Sequence, residues 1–164
     1  MSKPPRDYAR IGTNTYFVTA SAWGHRSLFQ SQRIASLLIN TLSHYRSAQK
    51  YLLHEFVIMP NHIHLMFTPS EITLERAMQF VKGGFSYRVK KELGIDAEVW
   101  VRGYVDHRIR DQNDYERHLS YVRNNPVKAG LVKLAEEYPY SSAHEGIELD
   151  PCPRGLKPRM MKTA

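Results

Sequence analysis

The sequence has 164 residues, 42% of them hydrophobic, so it is long and apolar enough for one domain with a buried core. Its formal charge of +7 is weak support, on its own, for an acidic partner such as nucleic acid. The single cysteine, Cys152, excludes a disulfide within the chain, and the lack of an apolar leader or of a ~20-residue apolar span predicts a soluble, intracellular protein.

The first half of the chain alternates between strand and helix patterns. An amino-terminal arm with Pro4, Pro5 and Gly12 precedes a stretch of high β-propensity, and apolar residues at helical spacing follow it. Two further strands flank a turn at Pro60 and Asn61. In chain order we predict an arm, a strand, an amphipathic helix and the two strands of a hairpin at residues 1–14, 16–20, 32–48, 51–59 and 62–68.

The second half is predicted to hold a helix, a strand, another helix and a tail. Gly94 is placed to cap the first of these helices. The last helix begins at Asp and Asn caps, and Pro126 disfavours helical geometry at Asn125, so we expect that helix to end there. The predicted ranges are 73–93, 104–110, 111–124 and, for an irregular proline-rich tail, 146–164.

The order of these elements predicts an α+β fold. A ferredoxin-like antiparallel sheet with helices on one side accounts for all but one of the elements, and the helix at 111–124 is additional. In that topology the first and third strands are central. We therefore expect one domain over residues 1–145, followed by the tail.

Two histidines mark the third strand. Because alternate residues of a strand share a face, His62 and His64 lie side by side while Ile63, Leu65 and Phe67 point into a core. Two neutral imidazoles at this spacing can chelate a divalent cation. The alternative is that they are polar positions on a half-exposed strand.

Tyr121 is the second candidate, on the last helix. Tyr115, Leu119 and Val122 follow a core stripe, and Tyr121 falls outside it, on the face that carries Asn125. A helical tyrosine usually serves packing. Off the stripe, its hydroxyl is a candidate nucleophile that must lose its proton as it attacks. The amide oxygen of Asn125 is a candidate helix cap or metal ligand.

Together these motifs resemble a known family. The Pro-Asn-His-Ile-His run at 60–64, and Tyr121 followed by Asn-Pro-Val-Lys-Ala-Gly-Leu-Val at 125–132, resemble the single-tyrosine HUH transposases of insertion sequences and, more narrowly, the REP-associated tyrosine transposases. The resemblance covers residues 8–145. It implies that His62, His64 and Asn125 bind Mg²⁺ or Mn²⁺. It also implies that Tyr121 attacks a DNA phosphate, leaving a 5′-phosphotyrosine and a free 3′-OH that can later rejoin strands.

The implied substrate is single-stranded DNA with a hairpin. Phosphate contacts are expected from basic residues of the last two helices and the segments around them, namely Lys82, Arg88, Lys91, Arg102, Arg110, Arg123 and Lys128. Gly83 and Gly84 either kink their helix or let a DNA backbone approach closely. The aromatic residues considered for base stacking are Tyr8, Tyr16, Trp23 and Tyr104.

Two other functions use the same residues. The chain is alternatively a domesticated hairpin-binding protein that rarely cleaves, or a metal-dependent phosphodiesterase that activates water and not Tyr121. For the transposase we expect a monomer acting in cis, without a membrane partner, in the cytoplasm and associated with the nucleoid. The helix that carries Tyr121 shows no obvious acidic general base in its sequence.

Overall fold

The computed structural model describes residues 14–156 and contains a four-stranded sheet with three α-helices in that range. The α+β fold predicted from the sequence is confirmed. Within residues 14–156 no helix is long and apolar enough to cross a membrane. In chain order the elements are β1 Tyr16–Ser21, α1 Gln32–Ser47, β2 Tyr51–Met59, β3 His62–Pro69, α2 Leu74–Leu93, β4 Val105–Arg108 and α3 Gln112–Lys128.

The sheet has the order β2-β3-β1-β4, and every neighbouring pair is antiparallel. β3 and β1 are central, as expected. Thr19 of β1 lies opposite His64, and Ser21 lies opposite His62. The two histidines are therefore held in the middle of the sheet by paired backbone on both sides.

Helices cover both faces of the sheet. Ile63, Leu65 and Phe67 of β3 point toward α1 and α2 in the larger apolar core. Met66 points the other way, into a smaller core that includes Tyr115 and Val122 of α3. The helix that carries Tyr121 thus lies on the face opposite α1 and α2, where the even-numbered side chains of β3 project.

A β-bulge in β2 decides which residues meet α3. The pairing with β3 shifts between Leu53 and Glu55, so one residue is added there. Leu53 and Phe56 consequently both face the larger core, although they are three residues apart. The same shift turns Glu55 toward α3. Alternation alone does not predict this, because it assumes an unbroken period of two.

The glycine pair does not interrupt α2, which continues for 20 residues and ends at Gly94, where φ is +66°. Gly84 packs against the ring of Tyr45 on α1, and a β-carbon at this position would collide with that ring. Gly83 has open space around it. Close packing of two helices, and not a kink, is therefore the reason for Gly84.

The predicted end of α3 at Asn125 is wrong. The helix runs through Pro126 to Lys128, and the Asn125 carbonyl accepts a bond from Ala129 N at 3.0 Å. Pro126 is buried, and its carbonyl accepts from Leu131 N at 2.9 Å. A proline removes only one helical hydrogen bond, and its effect on the preceding residue is a bias that packing overrides here.

The described part of the tail, residues 146–156, has no helix or strand but packs on the domain. Asp150 accepts from both Nε and Nη2 of Arg46 at 2.9 and 3.0 Å and from the Leu53 amide at 2.8 Å. Ile147 and Leu149 pack against the larger core. Residues 1–13, with Tyr8, and 157–164 lie outside the described range, as does most of the predicted arm.

Candidate functional site

The histidine pair forms the rigid part of the site. The rings of His62 and His64 are 4.8 Å apart between centroids. His64 Nδ1 lies 2.9 Å from Thr19 Oγ1, and His62 Nδ1 lies 2.7 Å from Asn61 Oδ1. The other ring nitrogen of His64, Nε2, is buried and has no hydrogen-bond partner among the described residues.

Both imidazoles are held in their neutral form. Burial lowers the pKa of His64 to about 3, and the neighbouring His62 contributes to the shift. Burial also lowers the pKa of His62. Neutral rings keep the lone pairs that a metal needs, and a buried nitrogen without a partner is costly unless something binds it. The pair therefore fits a divalent cation, with Thr19 and Asn61 orienting the rings from behind.

Tyr121 of the same chain lies beside this pair. Its ring meets the His64 ring edge-on at 5.3 Å between centroids, and it meets Phe17 in the same manner at 5.9 Å. Its side chain is 47% exposed, whereas Tyr115 and Val122 of the same helix are buried. The structure thus brings the predicted nucleophile and the predicted metal ligands together, with the phenol open to an incoming substrate.

Asn125, the third expected ligand, is half-buried one helical turn beyond Tyr121. Its placement inside α3 leaves its amide side chain on the face that Tyr121 shares, because residues four apart are neighbours on a helix. A role for Asn125 in metal binding stays a prediction.

The basic residues expected to bind DNA occupy four different settings. Lys82 donates to the carbonyls of Val101 and Gly103 at 3.0 and 2.6 Å, so it anchors the loop before β4. Arg123 is paired with buried Glu55. Arg88 and Lys91 lie on α2, across the sheet from Tyr121, where Arg88 is half-buried and Lys91 is exposed. The remaining expected contacts are also exposed, namely Arg102, Arg110 and Lys128.

A cluster of His107, Asp114 and His118, which was not predicted from the sequence, lies next to Tyr121. Buried Asp114 of α3 is 2.8 Å from His107 Nε2 and 3.2 Å from His118 Nδ1. It also accepts from the Arg110 amide at 2.9 Å and from Arg117 Nη2 at 3.2 Å. Burial acts to raise the pKa of Asp114, but the Arg110 amide and His107 outweigh it, and the pKa lies below its usual value.

This cluster and Tyr121 line one pocket of about 490 Å³. The histidine pair contributes to it through His64, and Arg110 and Arg117 add positive charge at its wall. Helical spacing held a signal for this arrangement, because Asp114, His118 and Tyr121 are separated by four and three residues and share a face. The contribution of His107 from β4 required the fold.

Comparison with known proteins gives a consistent result. The model of the family described as IS200-like transposases matches residues 15–125. A REP-associated tyrosine transposase of Escherichia coli K12 is 26% identical, over 96% of this chain and 89% of that protein. A Haemophilus influenzae protein, named provisionally as a REP-associated tyrosine transposase, is 29% identical over 92% of this chain and 90% of that protein.

A solved structure gives the same fold. It is that of a REP-associated tyrosine transposase bound to a REP hairpin, and it matches with a TM-score of 0.65 and 23% identity. The match covers 98% of this chain and 99% of that one. The match to the family model and to the two relatives confirms the resemblance that the two sequence motifs indicated.

Proposed function

The chain belongs to the IS200-like transposase family, and on that basis we propose that it cleaves and rejoins single-stranded DNA at hairpins. The observation that carries the proposal is the placement of Tyr121 against His64, whose Nε2 is buried and has no hydrogen-bond partner within residues 14–156. A nucleophile beside a metal-binding pair is what transesterification at a phosphate requires.

In this proposal the side chains have separate roles. His62, His64 and Asn125 would hold Mg²⁺ or Mn²⁺, and a pair of imidazoles favours Mn²⁺ over the harder Mg²⁺. When bound, such a cation polarises the scissile phosphate and stabilises the oxyanions that develop on it. Tyr121 forms the bond to phosphorus and retains the 5′ side as a phosphotyrosine. The 3′-OH that is released can attack this linkage and restore a phosphodiester.

The single-stranded form of the DNA is part of the same proposal. Tyr121 must meet a phosphate whose flanking bases are unstacked, and a continuous duplex has to be opened for this. In the proposal Arg102, Arg110 and Lys128, which are exposed, contact the backbone. Of the aromatic residues considered for stacking, Trp23 is half-exposed and available, whereas Tyr16 and Tyr104 pack against the larger core.

Tyr121 and His64 belong to one chain, which supports a monomer acting in cis over an exchange of helices between copies. A relative bound to a REP hairpin supports a palindromic hairpin as the substrate. Action on chromosomal DNA would place the protein in the cytoplasm with the nucleoid.

Covalent trapping tests the proposal. The wild-type protein, incubated with labelled single-stranded hairpin DNA and Mn²⁺, should form an adduct that survives denaturation. Tyr121→Phe should form none, and Tyr115→Phe, a matched change on the same helix, should keep it. DNA binding without cleavage would indicate a hairpin-binding protein instead. Cleavage without an adduct, retained in Tyr121→Phe, would indicate a phosphodiesterase that uses water.

A further inference from the structure

The His107, Asp114 and His118 cluster is close enough to hold a cation, but its hydrogen bonds argue for another role. The ligand atoms of the three side chains lie within 4.8 Å of one another. The Asp114 carboxylate, however, already has four donors within 3.2 Å, two on each oxygen. A carboxylate has about four acceptor positions, so none is left for a metal.

The same bonds decide which nitrogen of His118 carries hydrogen. His118 Nδ1 lies 2.8 Å from the Asp114 carbonyl oxygen and 3.2 Å from Asp114 Oδ1. Both oxygens only accept, so Nδ1 must be the protonated nitrogen. In the neutral ring Nε2 then carries a lone pair. In many enzymes a histidine activates a hydroxyl nucleophile with one ring nitrogen while a carboxylate holds the other.

His118 is placed beside the nucleophile. It precedes Tyr121 by three residues on α3, the spacing at which helical side chains are neighbours. Both rings contact Phe17, at 4.8 Å for His118 and 5.9 Å for Tyr121 between centroids. Both also line the same pocket. Phe17 thus supports the two rings from the sheet side.

We infer that His118 Nε2 accepts the phenolic proton when Tyr121 attacks DNA, and that Asp114 is the residue that positions His118. This inference rests on the proposed function. As the bond between Tyr121 Oη and phosphorus forms, the bond from phosphorus to O3′ breaks and the phenolic proton moves to His118. Solvent supplies the proton that completes the 3′-OH. On rejoining, the 3′-OH attacks and gives its proton to solvent, the bond between Tyr121 Oη and phosphorus breaks, and His118 returns a proton to the departing phenolate.

The other basic groups of the pocket are less suited to this step. In the proposed function His64 Nε2 binds the metal. His107 also has one free ring nitrogen, Nδ1, because its Nε2 donates to Asp114. Its ring, however, stacks on His118 at 4.8 Å between centroids, whereas His118 is the ring that shares the contact with Phe17 beside Tyr121. Guanidinium groups stay protonated at any working pH. The charged and titratable groups that line the pocket with His118 are His64, His107, Arg110, Asp114, Arg117 and Tyr121.

The first test compares His118→Gln with His44→Gln, a matched change at an exposed histidine of α1 on the other face of the sheet. Single-turnover cleavage of the hairpin is followed from pH 5 to 9 in Mn²⁺. His118→Gln should lose about 100-fold in rate, within the range that general bases contribute. His44→Gln should match the wild type. Thermal unfolding and hairpin binding should be unchanged in both. A His118→Gln rate within about twofold of wild type would overturn the inference.

A second test does not depend on how that variant folds. The wild-type rate should rise by about tenfold per pH unit and then level, as for a reaction that needs one deprotonated base. Replacing Tyr121 by fluorotyrosine lowers the phenol pKa but should leave this inflection in place, because a base separate from the phenol takes the proton. An inflection that moves to lower pH with fluorination would assign it to the phenol and reject His118 as the base.

The two tests separate this inference from the proposed function. A wild-type protein that forms no adduct refutes the function itself. A wild-type adduct with an unaltered His118→Gln rate refutes only the role of His118. Asp114→Asn supplies the positioning readout. This variant keeps the shape of the side chain, and thermal unfolding checks that it folds. It should cleave more slowly and show a displaced pH inflection, and its affinity for Mn²⁺ should equal that of the wild type.

Discussion

Arg123 and Glu55 form an ion pair between α3 and the sheet, with Arg123 Nη2 2.8 Å from Glu55 Oε1 and Nε 3.3 Å from Oε2. Glu55 is 3% exposed, and Ser142 also donates to it. Arg123 is two residues from Tyr121 on α3, so the ion pair holds the helix that carries the proposed nucleophile against the sheet. The guanidinium that the sequence suggested for phosphate binding therefore has a structural partner.

Arg123→Met should destabilise the fold. Among residues 14–156 it leaves the buried Glu55 carboxylate with Ser142 as its remaining hydrogen-bond donor, and we expect the free energy of unfolding to fall by roughly 2–3 kcal/mol, since Arg123 itself is partly exposed. Urea denaturation measures this. The double variant with Glu55→Met should recover most of the loss, because no uncompensated charge remains. Normal stability with a weakened salt dependence of DNA binding would instead support a phosphate contact.

His62→Ala and His64→Ala should each abolish Mn²⁺-dependent cleavage while hairpin binding survives, because phosphate contacts elsewhere supply most of the affinity.

Thr19→Val tests how the His64 ring is supported. It removes the hydroxyl that orients His64, and we expect a loss of about 10-fold or more in Mn²⁺ affinity, as for other residues that orient metal ligands. Cleavage rates measured over a series of Mn²⁺ concentrations give the loss of cleavage in the histidine variants and the loss of Mn²⁺ affinity in Thr19→Val. Full activity in EDTA would contradict the metal site.

Cleavage should require unpaired DNA. A single-stranded hairpin should be cut, and the same sequence as a continuous duplex should be cut little or not at all, because unstacking costs a few kcal/mol. Equal rates on the two forms, in parallel single-turnover assays, would reject the single-strand mechanism.

Binding should weaken steeply with salt, and Arg110→Ala should lessen the slope of log affinity against log salt by about one, as expected for a lost phosphate contact. Arg33→Ala, an exposed arginine on α1 across the sheet, is the matched control and should leave the slope unchanged. A gel-shift series over salt gives the slopes. An unchanged slope in Arg110→Ala would remove Arg110 from the DNA interface.

Acidification should destabilise the protein in part through His54. Burial lowers the pKa of His54, which donates from Nδ1 to the Pro151 carbonyl and accepts at Nε2 from Thr68. Below the ordinary histidine pKa of about 6.5, His54 is therefore protonated in the unfolded chain but stays neutral in the folded chain. The free energy of unfolding falls as the pH drops below this value. His54→Gln should show a smaller loss between pH 7 and 5 in urea denaturation. An equal loss would mean that other groups carry the effect.

Local patterns predicted the parts of the fold that obey a simple period. The alternation at 62–67 placed His62 and His64 on one face, and the helical stripe placed Tyr121 outside the core; the structure has both features. The bounds of α1 and α2 followed from spacing and caps for the same reason. Gly94 ended α2 as expected, because glycine accepts a positive φ without strain.

Features that depend on distant partners were not predictable in this way. The bulge beside Leu53 changes the face of Glu55, and only then does Arg123 become its partner. The continuation of α3 past Asn125 depends on the burial of Pro126, which no local propensity contains. The set of donors around Asp114 joins β4 to α3, so helical spacing could indicate the pairing of Asp114 with His118 but not the contribution of His107.

The alternation of β3 has a consequence for misfolding. A strand paired one residue out of place would turn His62 and His64 toward α1 and α2 and would move Ile63 and Leu65 out of the larger core. Such a species would bury two imidazoles among apolar side chains and lose its main hydrophobic contacts at once. Molecules that complete folding therefore carry a formed histidine pair, and an inactive but well-folded population from this error is not expected.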